Sequence, residues 1–129
     1  MKDDIRVILA DNNVQDRESK KRLLNEQGIQ VVYETGDGKK ALENIKKLKP
    51  DVVVVDMILP GVDGLEILEE CREFTEYKPL FIIATALRRE GLIEQALAQG
   101  ANYYMMKPLS ATMLIKRIRQ IAASVGEGE

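Results

Sequence analysis

The chain has 129 residues, of which 45% are hydrophobic and 31% charged, and this is typical of a single globular domain. Its 19 basic and 21 acidic side chains leave a net charge of −2, so overall charge gives no argument for binding nucleic acid or an anionic membrane. Histidine is absent, which excludes His-based catalytic triads and His-ligated metals. Cys71 is the single cysteine, so no disulfide can form within the chain, which suits a reducing compartment. The first apolar run is too short to span a membrane. Both observations favour a cytoplasmic protein.

Short apolar runs alternate with helical patterns five times along the chain. The predicted strands are residues 5–10, 29–33, 52–55, 80–84 and 103–106. The predicted helices are residues 13–27, 37–48, a third that begins at Asp63, 90–99, and a fifth that Ser110 caps and that ends near Ala123. Asp63 and Glu66 have the spacing of a capping box, and Gly100 is predicted to end the fourth helix.

The run of four valines at 52–55 is apolar on both faces, which favours the central strand of a parallel sheet covered on both sides. Right-handed crossovers then place helices on the two faces. We expect an α/β fold, a flavodoxin-like doubly wound (βα)5 domain with five parallel strands in the order 2-1-3-4-5. Residues 1–124 are predicted to form this domain, with 125–129 as a linker or the end of the chain.

Polar residues follow the strands that meet at the carboxyl edge of this sheet. Asp11 and Asn12 follow the first strand, and Asp56 follows the third. Thr85 ends the fourth and Lys107 follows the fifth. Each residue also has an ordinary structural interpretation, such as a helix cap for Asp11 and Asn12. Together, however, oxygen ligands for Mg²⁺ beside a lysine indicate phosphoryl transfer onto an aspartate.

Several motifs support a family resemblance. The segment 56–64, Asp-Met-Ile-Leu-Pro-Gly-Val-Asp-Gly, resembles the phosphoacceptor segment of the receiver domains of two-component response regulators. The family's other motif positions are matched in order by 10–12, 84–86, 100–101 and 107–108. The resemblance covers residues 4 to 124. The sequence at 103–104 and 118–120 is similar to that of the receiver domains of sporulation transcription factors.

The resemblance implies the chemistry of the site. Asp56 would take a phosphoryl group from a phosphohistidine on a sensor histidine kinase or a phosphotransfer protein. Mg²⁺, or Mn²⁺, would be held by Asp11, Asn12, Asp56 and the backbone carbonyl of Ile58. Lys107 would pair with the phosphoryl group. Such a domain would catalyse its own phosphorylation and dephosphorylation and no other reaction.

The resemblance also implies a switch. Thr85 would hydrogen-bond to the phosphoryl group, and Tyr104 would swing inward as Thr85 moves. Ile58 and Leu87 take the positions that hold or exclude the hydrolytic water, and both are apolar, so we expect a long-lived phosphorylated state. The family commonly has a cis peptide bond before the residue that matches Pro108.

Two departures from the family pattern leave alternatives open. Asn12 replaces an acid that binds the metal in most receivers, so metal affinity should fall. The domain is then either competent for phosphorylation or a pseudo-receiver that signals through protein contacts. Ala101 and Asn102 replace an acidic pair, which puts in doubt a homodimer through the face of helix four, strand five and helix five. We expect a transcriptional output, DNA contact only through an effector domain not on this chain, and no membrane partner.

Overall fold

The computed structural model describes residues 4–87 and 89–127, and this part of the chain alternates five strands with five helices. The strands are β1 (Arg6–Ala10), β2 (Gln30–Thr35), β3 (Val52–Asp56), β4 (Leu80–Thr85) and β5 (Tyr103–Met106). The helices are α1 (Val14–Glu26), α2 (Gly38–Leu48), α3 (Gly64–Arg72), α4 (Leu92–Ala98) and α5 (Ala111–Glu127). All strand pairs are parallel, in the order β2-β1-β3-β4-β5, which confirms the predicted doubly wound fold.

Strand β3 is buried along its whole length and lies between β1 and β4. Its valines alternate between two apolar clusters, as a pleated strand requires. Val53 and Val55 pack with residues of α2, α3 and α4. Val52 and Val54 pack with residues of α1 and α5. This explains why the sequence of β3 is apolar without alternation.

Local hydrogen bonds at the helix ends agree with several sequence signals. Asp63 and Glu66 form both bonds of the capping box of α3. The Ser110 hydroxyl accepts from the backbone N–H of Met113 at the start of α5. Gly100 follows α4 with a φ of 113°, a conformation that glycine adopts without strain. Helix α1, by contrast, is capped by Asn13, whose side chain accepts from Asp16 N–H, and not by Asp11 or Asn12.

Two helix boundaries differ from the prediction. Helix α4 begins at Leu92, after Gly91 in the left-handed conformation, and Gly91 provides no side-chain cap. Helix α5 continues to Glu127, beyond the end predicted near Ala123. Ile121 and Ala122 pack against the apolar cluster under α5, and backbone hydrogen bonds carry the helix one turn further. Of the predicted end segment 125–129, residues 128–129 lie outside the described part of the chain, as do residues 1–3.

Across residues 4–87 and 89–127, no helix combines the length and the apolar character needed to cross a membrane.

Candidate functional site

The carboxyl ends of four strands, β1, β3, β4 and β5, lie at one edge of the sheet. Asp56 is the final residue of β3 and its surface is 5% exposed. Asp11 directly follows β1, and Lys107 directly follows β5. The cleft between β1 and β3 is the topological switch point, where ligands bind in this class of fold.

The Lys107 side chain joins the two carboxylates of this cleft. Its ammonium Nζ lies 2.7 Å from Asp56 Oδ2 and 3.1 Å from Asp11 Oδ1. Burial by itself lowers the pKa of Lys107, but the hydrogen bonds and negative charges of Asp56 and Asp11 outweigh burial, and the pKa lies above its ordinary value. Lys107 is therefore a fixed positive charge beside Asp56 at neutral pH.

The backbone around the cleft sets the position of these side chains. The N–H of Lys107 donates to the carbonyl of Thr85 at 2.8 Å, which attaches the loop after β5 to the end of β4. The Lys107–Pro108 peptide bond is cis, as the resemblance implied. On the other side, the N–H of Met57 donates to the carbonyl of Ala84 at 2.8 Å. A Cβ on Gly64 would lie 2.8 Å from the Asp56 carbonyl oxygen, so the chain after Asp56 turns back as closely as a glycine allows.

Asn12 makes a contact that the sequence did not predict. Its side-chain Nδ2 donates to the Ile58 carbonyl oxygen at 2.9 Å. The amide was expected to offer its oxygen to a metal ion, and Ile58 its carbonyl. Instead the two groups are hydrogen-bonded to each other, with the amide nitrogen facing Ile58.

The predicted switch and water-excluding residues lie around the same cleft. Thr85 is 2% exposed, and its hydroxyl oxygen accepts from the Leu87 N–H at 2.9 Å. Tyr104 is half-buried on β5 and its ring stacks with Tyr103 at a centroid distance of 6.3 Å. Leu87 packs against the cluster under α2–α4, whereas Ile58 is 51% exposed. Leu87 is thus partly held by packing, and the Ile58 side chain is open to solvent.

The donor set suits a hard divalent cation in part. Asp11, Asp56 and the Ile58 carbonyl supply oxygen atoms, which Mg²⁺ prefers. Asn12, in its observed orientation, turns its N–H donors and not its amide oxygen toward the Ile58 carbonyl. Among the described residues, no three His, Cys, Asp or Glu side chains cluster closely enough to hold a metal ion. The cleft itself has two carboxylates.

Comparison with known proteins shows the family of this chain. The family model of the response regulator receiver domain matches residues 7–119. The chain belongs to this family. The signal receiver domain of NarL from Mycobacterium tuberculosis has the same fold, with a TM-score of 0.87 and 31% identity, over 95% of this chain and 98% of that one.

Curated relatives of this receiver domain are longer proteins. The transcriptional regulatory protein PdtaR of M. tuberculosis is 33% identical over 129 residues, which cover 95% of this chain and 62% of PdtaR. A protein-glutamate methylesterase/protein-glutamine glutaminase of Methanospirillum hungatei is 34% identical over 124 residues, 94% of this chain and 35% of that protein. The receiver domain therefore spans about one to two thirds of these relatives. They do not support the finer resemblance to sporulation transcription factors.

Sequence reasoning missed Arg17, which lies under the cleft of this receiver domain. Its Nη1 donates to the Asp11 carbonyl oxygen at 2.6 Å, and its Nε donates to Glu34 Oε1 at 2.8 Å. Lys21 also pairs with Glu34, at 3.3 Å. Burial raises the pKa of Glu34, but the hydrogen bonds and charges of Arg17 and Lys21 outweigh it and leave the pKa below its ordinary value. The only signal in the sequence was the polarity of helix α1.

Proposed function

We propose that this receiver domain accepts a phosphoryl group on Asp56 from a phosphohistidine of a sensor histidine kinase or a phosphotransfer protein. The observation that carries the proposal is the Lys107 ammonium held 2.7 Å from the buried Asp56 carboxylate, with Asp11 on its other side. Phosphorylation then switches an output. The relationship to PdtaR supports transcription as that output, and the methylesterase relative shows that receivers of this kind accompany other activities.

In the proposed reaction, an Asp56 carboxylate oxygen forms a bond to phosphorus while the bond from phosphorus to the histidine nitrogen breaks. The electron pair of that bond leaves with the imidazole. Lys107 already lies beside the nucleophile, so its charge can pair with the incoming phosphoryl oxygens without reorganisation. The domain acts as a phosphoacceptor that catalyses its own phosphorylation and dephosphorylation.

Mg²⁺, or Mn²⁺, is the proposed cofactor. Asp11, Asp56 and the Ile58 carbonyl would hold it, and a bound divalent cation would neutralise charge on the phosphoryl oxygens. Asn12 contributes no negative charge to this set. The affinity for the cation should therefore be lower than in a site with an acid at position 12.

The proposed switch involves Thr85 and Tyr104. The Thr85 hydroxyl would hydrogen-bond to the phosphoryl group, and Tyr104 would move inward toward the space that Thr85 leaves. The face of α4, β5 and α5 would read out this change, with a homodimer as one outcome. Met113 is 38% exposed on this face, and the Arg117 guanidinium lies 4.9 Å from the Tyr103 ring centroid. We propose a cytoplasmic location and contact with DNA only through an effector domain.

The assignment of Asp56 is tested by intact-protein mass spectrometry after incubation with acetyl phosphate and Mg²⁺. The mass should rise by one phosphoryl group, and Asp56→Asn should abolish the rise. Asp16→Asn, an exposed change on α1, is the matched control and should retain it. A mass increase that survives in the Asp56→Asn variant would show that another residue is the acceptor.

The phosphorylated state should decay slowly because Ile58 and Leu87 offer the attacking water no hydrogen bond. Replacing both by asparagine should accelerate the decay of the phosphorylated form, measured by the loss of added mass over time. An exposed apolar residue elsewhere, Leu97→Asn, serves as the control. Equal decay rates in the double variant and the wild type would mean that these two side chains do not set the lifetime.

A second candidate function is a pseudo-receiver that acts through protein contacts alone. The hydrogen bond from Asn12 to the Ile58 carbonyl favours it, because this bond occupies a predicted metal ligand. Absence of any mass increase with acetyl phosphate or with a phosphorylated histidine donor, in a folded protein, would support this candidate over the first.

A further inference from the structure

Asn12 connects two loops that meet at the cleft. It lies between β1 and α1, and its partner Ile58 is 46 residues away between β3 and α3. The contact joins the Nδ2 of the amide to a backbone carbonyl oxygen, so a donor faces an acceptor. Turning the amide over would bring its own oxygen against the carbonyl oxygen, and two acceptors would then face each other with no proton between them.

The identity of the facing atom decides what Asn12 can do. Two neighbouring oxygen ligands of an octahedral Mg²⁺ lie about 2.9 Å apart, since each is about 2.0–2.1 Å from the metal. The observed separation of 2.9 Å therefore fits either a hydrogen bond or a pair of ligands. The amide nitrogen carries no lone pair available to a cation. With this nitrogen toward Ile58, the contact is a hydrogen bond.

The carboxylates of the cleft also have protein partners. Asp56 Oδ2 and Asp11 Oδ1 both bind the Lys107 ammonium, and Asp11 Oδ1 accepts in addition from the Asn13 N–H at 2.8 Å. Two carboxylates and one ammonium leave one net negative charge to attract a cation. A cation that uses the Ile58 carbonyl meets the hydrogen bond from Asn12 there, and this bond is the one of these contacts that carries no charge.

We propose that Asn12 competes with the divalent cation for the Ile58 carbonyl, instead of acting as a ligand of that cation. This inference rests on the proposed function in one respect, namely that the cleft is where a cation binds. Asn12 then closes the cleft in the metal-free protein, and cation binding requires its hydrogen bond to break. The two roles predict opposite effects when the side chain is removed.

The test is a calorimetric titration of MgCl2 into the full chain and three variants. If Asn12 competes, Asn12→Ala should bind Mg²⁺ roughly two- to ten-fold more tightly than the wild type, the range that corresponds to the net value of one hydrogen bond. Equal or weaker binding would overturn the proposal, because loss of a ligand weakens binding. Asn12→Asp should bind more tightly than Asn12→Ala, since a carboxylate adds charge at the same place; failure of this order would show that position 12 does not face the cation.

Asn13→Ala is the matched control. Asn13 is the neighbouring amide, but its oxygen caps α1 through the Asp16 N–H. Its removal should leave Mg²⁺ affinity unchanged. A gain equal to that of Asn12→Ala would mean that loosening this loop is sufficient, and the proposal would fall.

A second measurement follows the Asn12 side-chain amide by ¹⁵N NMR. The proton that Nδ2 donates to the Ile58 carbonyl should exchange more slowly than its geminal partner in the metal-free protein and lose that difference as Mg²⁺ is added. A difference that is unchanged at saturating Mg²⁺ would also overturn the proposal. Neither measurement uses phosphorylation, so the two proposals can fail independently. If Asp56 is never phosphorylated, the measurements still test the role of Asn12. If Asp56 is phosphorylated normally, they can still refute the competition between Asn12 and the cation.

Discussion

The two faces of the sheet hold their helices in different ways. On one face, α2 buries Gly38, Ala41 and Ile45. On the other, α1 is described along its whole length and buries Leu24 alone. Helix α1 is attached instead by polar bonds. Arg17 donates to Glu34 and to the Asp11 carbonyl, and near the carboxyl end of the helix the Asn25 side chain accepts from the Val31 N–H. Apolar burial is insensitive to pH and is not screened by salt, whereas the attraction between charged groups depends on pH and is screened by salt.

This difference matters for the site because each face supports one of its carboxylates. The β3–α3 loop after Asp56 rests on the start of α2, where Gly38 N–H donates to the Pro60 carbonyl at 3.0 Å. Asp11 leads into α1, and its carbonyl is held by Arg17. We therefore expect the Asp56 side of the cleft to be rigid and the Asp11 side to depend on charge.

The largest effect should come from filling the close approach at Gly38. A Cβ at this position would lie 1.6 Å from the Val62 carbonyl oxygen, which no side-chain rearrangement can relieve. We expect Gly38→Ala to lower the free energy of unfolding by about 3 kcal/mol. Urea denaturation measures this, and Lys39→Ala, an exposed neighbour in the same turn, should change stability by less than about 0.5 kcal/mol. An unchanged free energy of unfolding in Gly38→Ala would mean that the loop and α2 are not in tight contact.

A smaller effect is expected from removing the charge beneath Asp11. Arg17→Met keeps an unbranched apolar side chain but leaves Glu34 and the Asp11 carbonyl without the guanidinium. We expect a loss of about 1–3 kcal/mol in the free energy of unfolding. The matched control is Arg22→Met on the exposed side of the same helix, which should be close to neutral. Similar losses in both variants would show that Arg17 has no special role in attaching α1.

Hydrogen exchange compares the two helices directly in the unmodified protein. Amides of α1 should exchange through local opening at a lower free energy than those of α2, because fewer buried apolar contacts are lost on opening. Added salt should accelerate exchange in α1 more than in α2, since it screens the attraction between Arg17 and Glu34. Equal protection from exchange in the two helices, independent of salt, would mean that α1 and α2 are attached to the sheet in the same way.

A smaller effect still is the pH dependence of the same ion pair. The pKa of Glu34 is lower in the folded protein than its ordinary value of 4.5, so its stabilising effect is present above pH 4.5 and is lost as the pH falls through the folded pKa. The stability difference between the wild type and Glu34→Gln should therefore shrink as the pH is lowered below 4.5. Urea denaturation at several pH values measures it, and a difference that stays constant would contradict the assigned charge.

Lys107 should show the opposite dependence. Its pKa is raised above 10.5, so its contribution to stability is complete below that pH and is lost as the pH rises through the folded pKa. Comparing the wild type with Lys107→Met in urea should give a difference that is present at neutral pH and shrinks in alkali. Loss of this difference near neutral pH would mean that the ammonium is not held between the carboxylates.

Much of the fold was predictable because it depends on local pattern. The unbroken valine run at 52–55 indicated a strand buried on both faces, and β3 is such a strand. The capping box at Asp63 and Glu66 depends on residues three apart, and it is present. The end of α5 was predicted too early because the glycine at 126 suggests a helix end, whereas the helix is anchored to the core one turn before that residue.

The residue types of the candidate site also followed from the sequence, because the carboxyl ends of parallel strands share one edge of the sheet. That rule places Asp11, Asp56 and Lys107 near each other without any knowledge of side-chain orientation. The orientation of the Asn12 amide is decided by a carbonyl 46 residues away, and the bonds of Arg17 by Glu34, 17 residues away. Periodicity and local motifs carry no information about partners at that separation.

The sequence by itself thus determined the five β-α units, the central strand and the polar edge where the strands end, since these depend on apolar periodicity and on the geometry shared by all parallel sheets. The tertiary structure alone decided which atoms face each other across that edge. A hydrogen bond forms over about 3 Å and depends on direction, so it is settled only when loops from distant parts of the chain are packed together. For this reason the position of Asp56 at this edge was predictable from the end of its strand, while the contact between Asn12 and Ile58 became evident only in the folded protein.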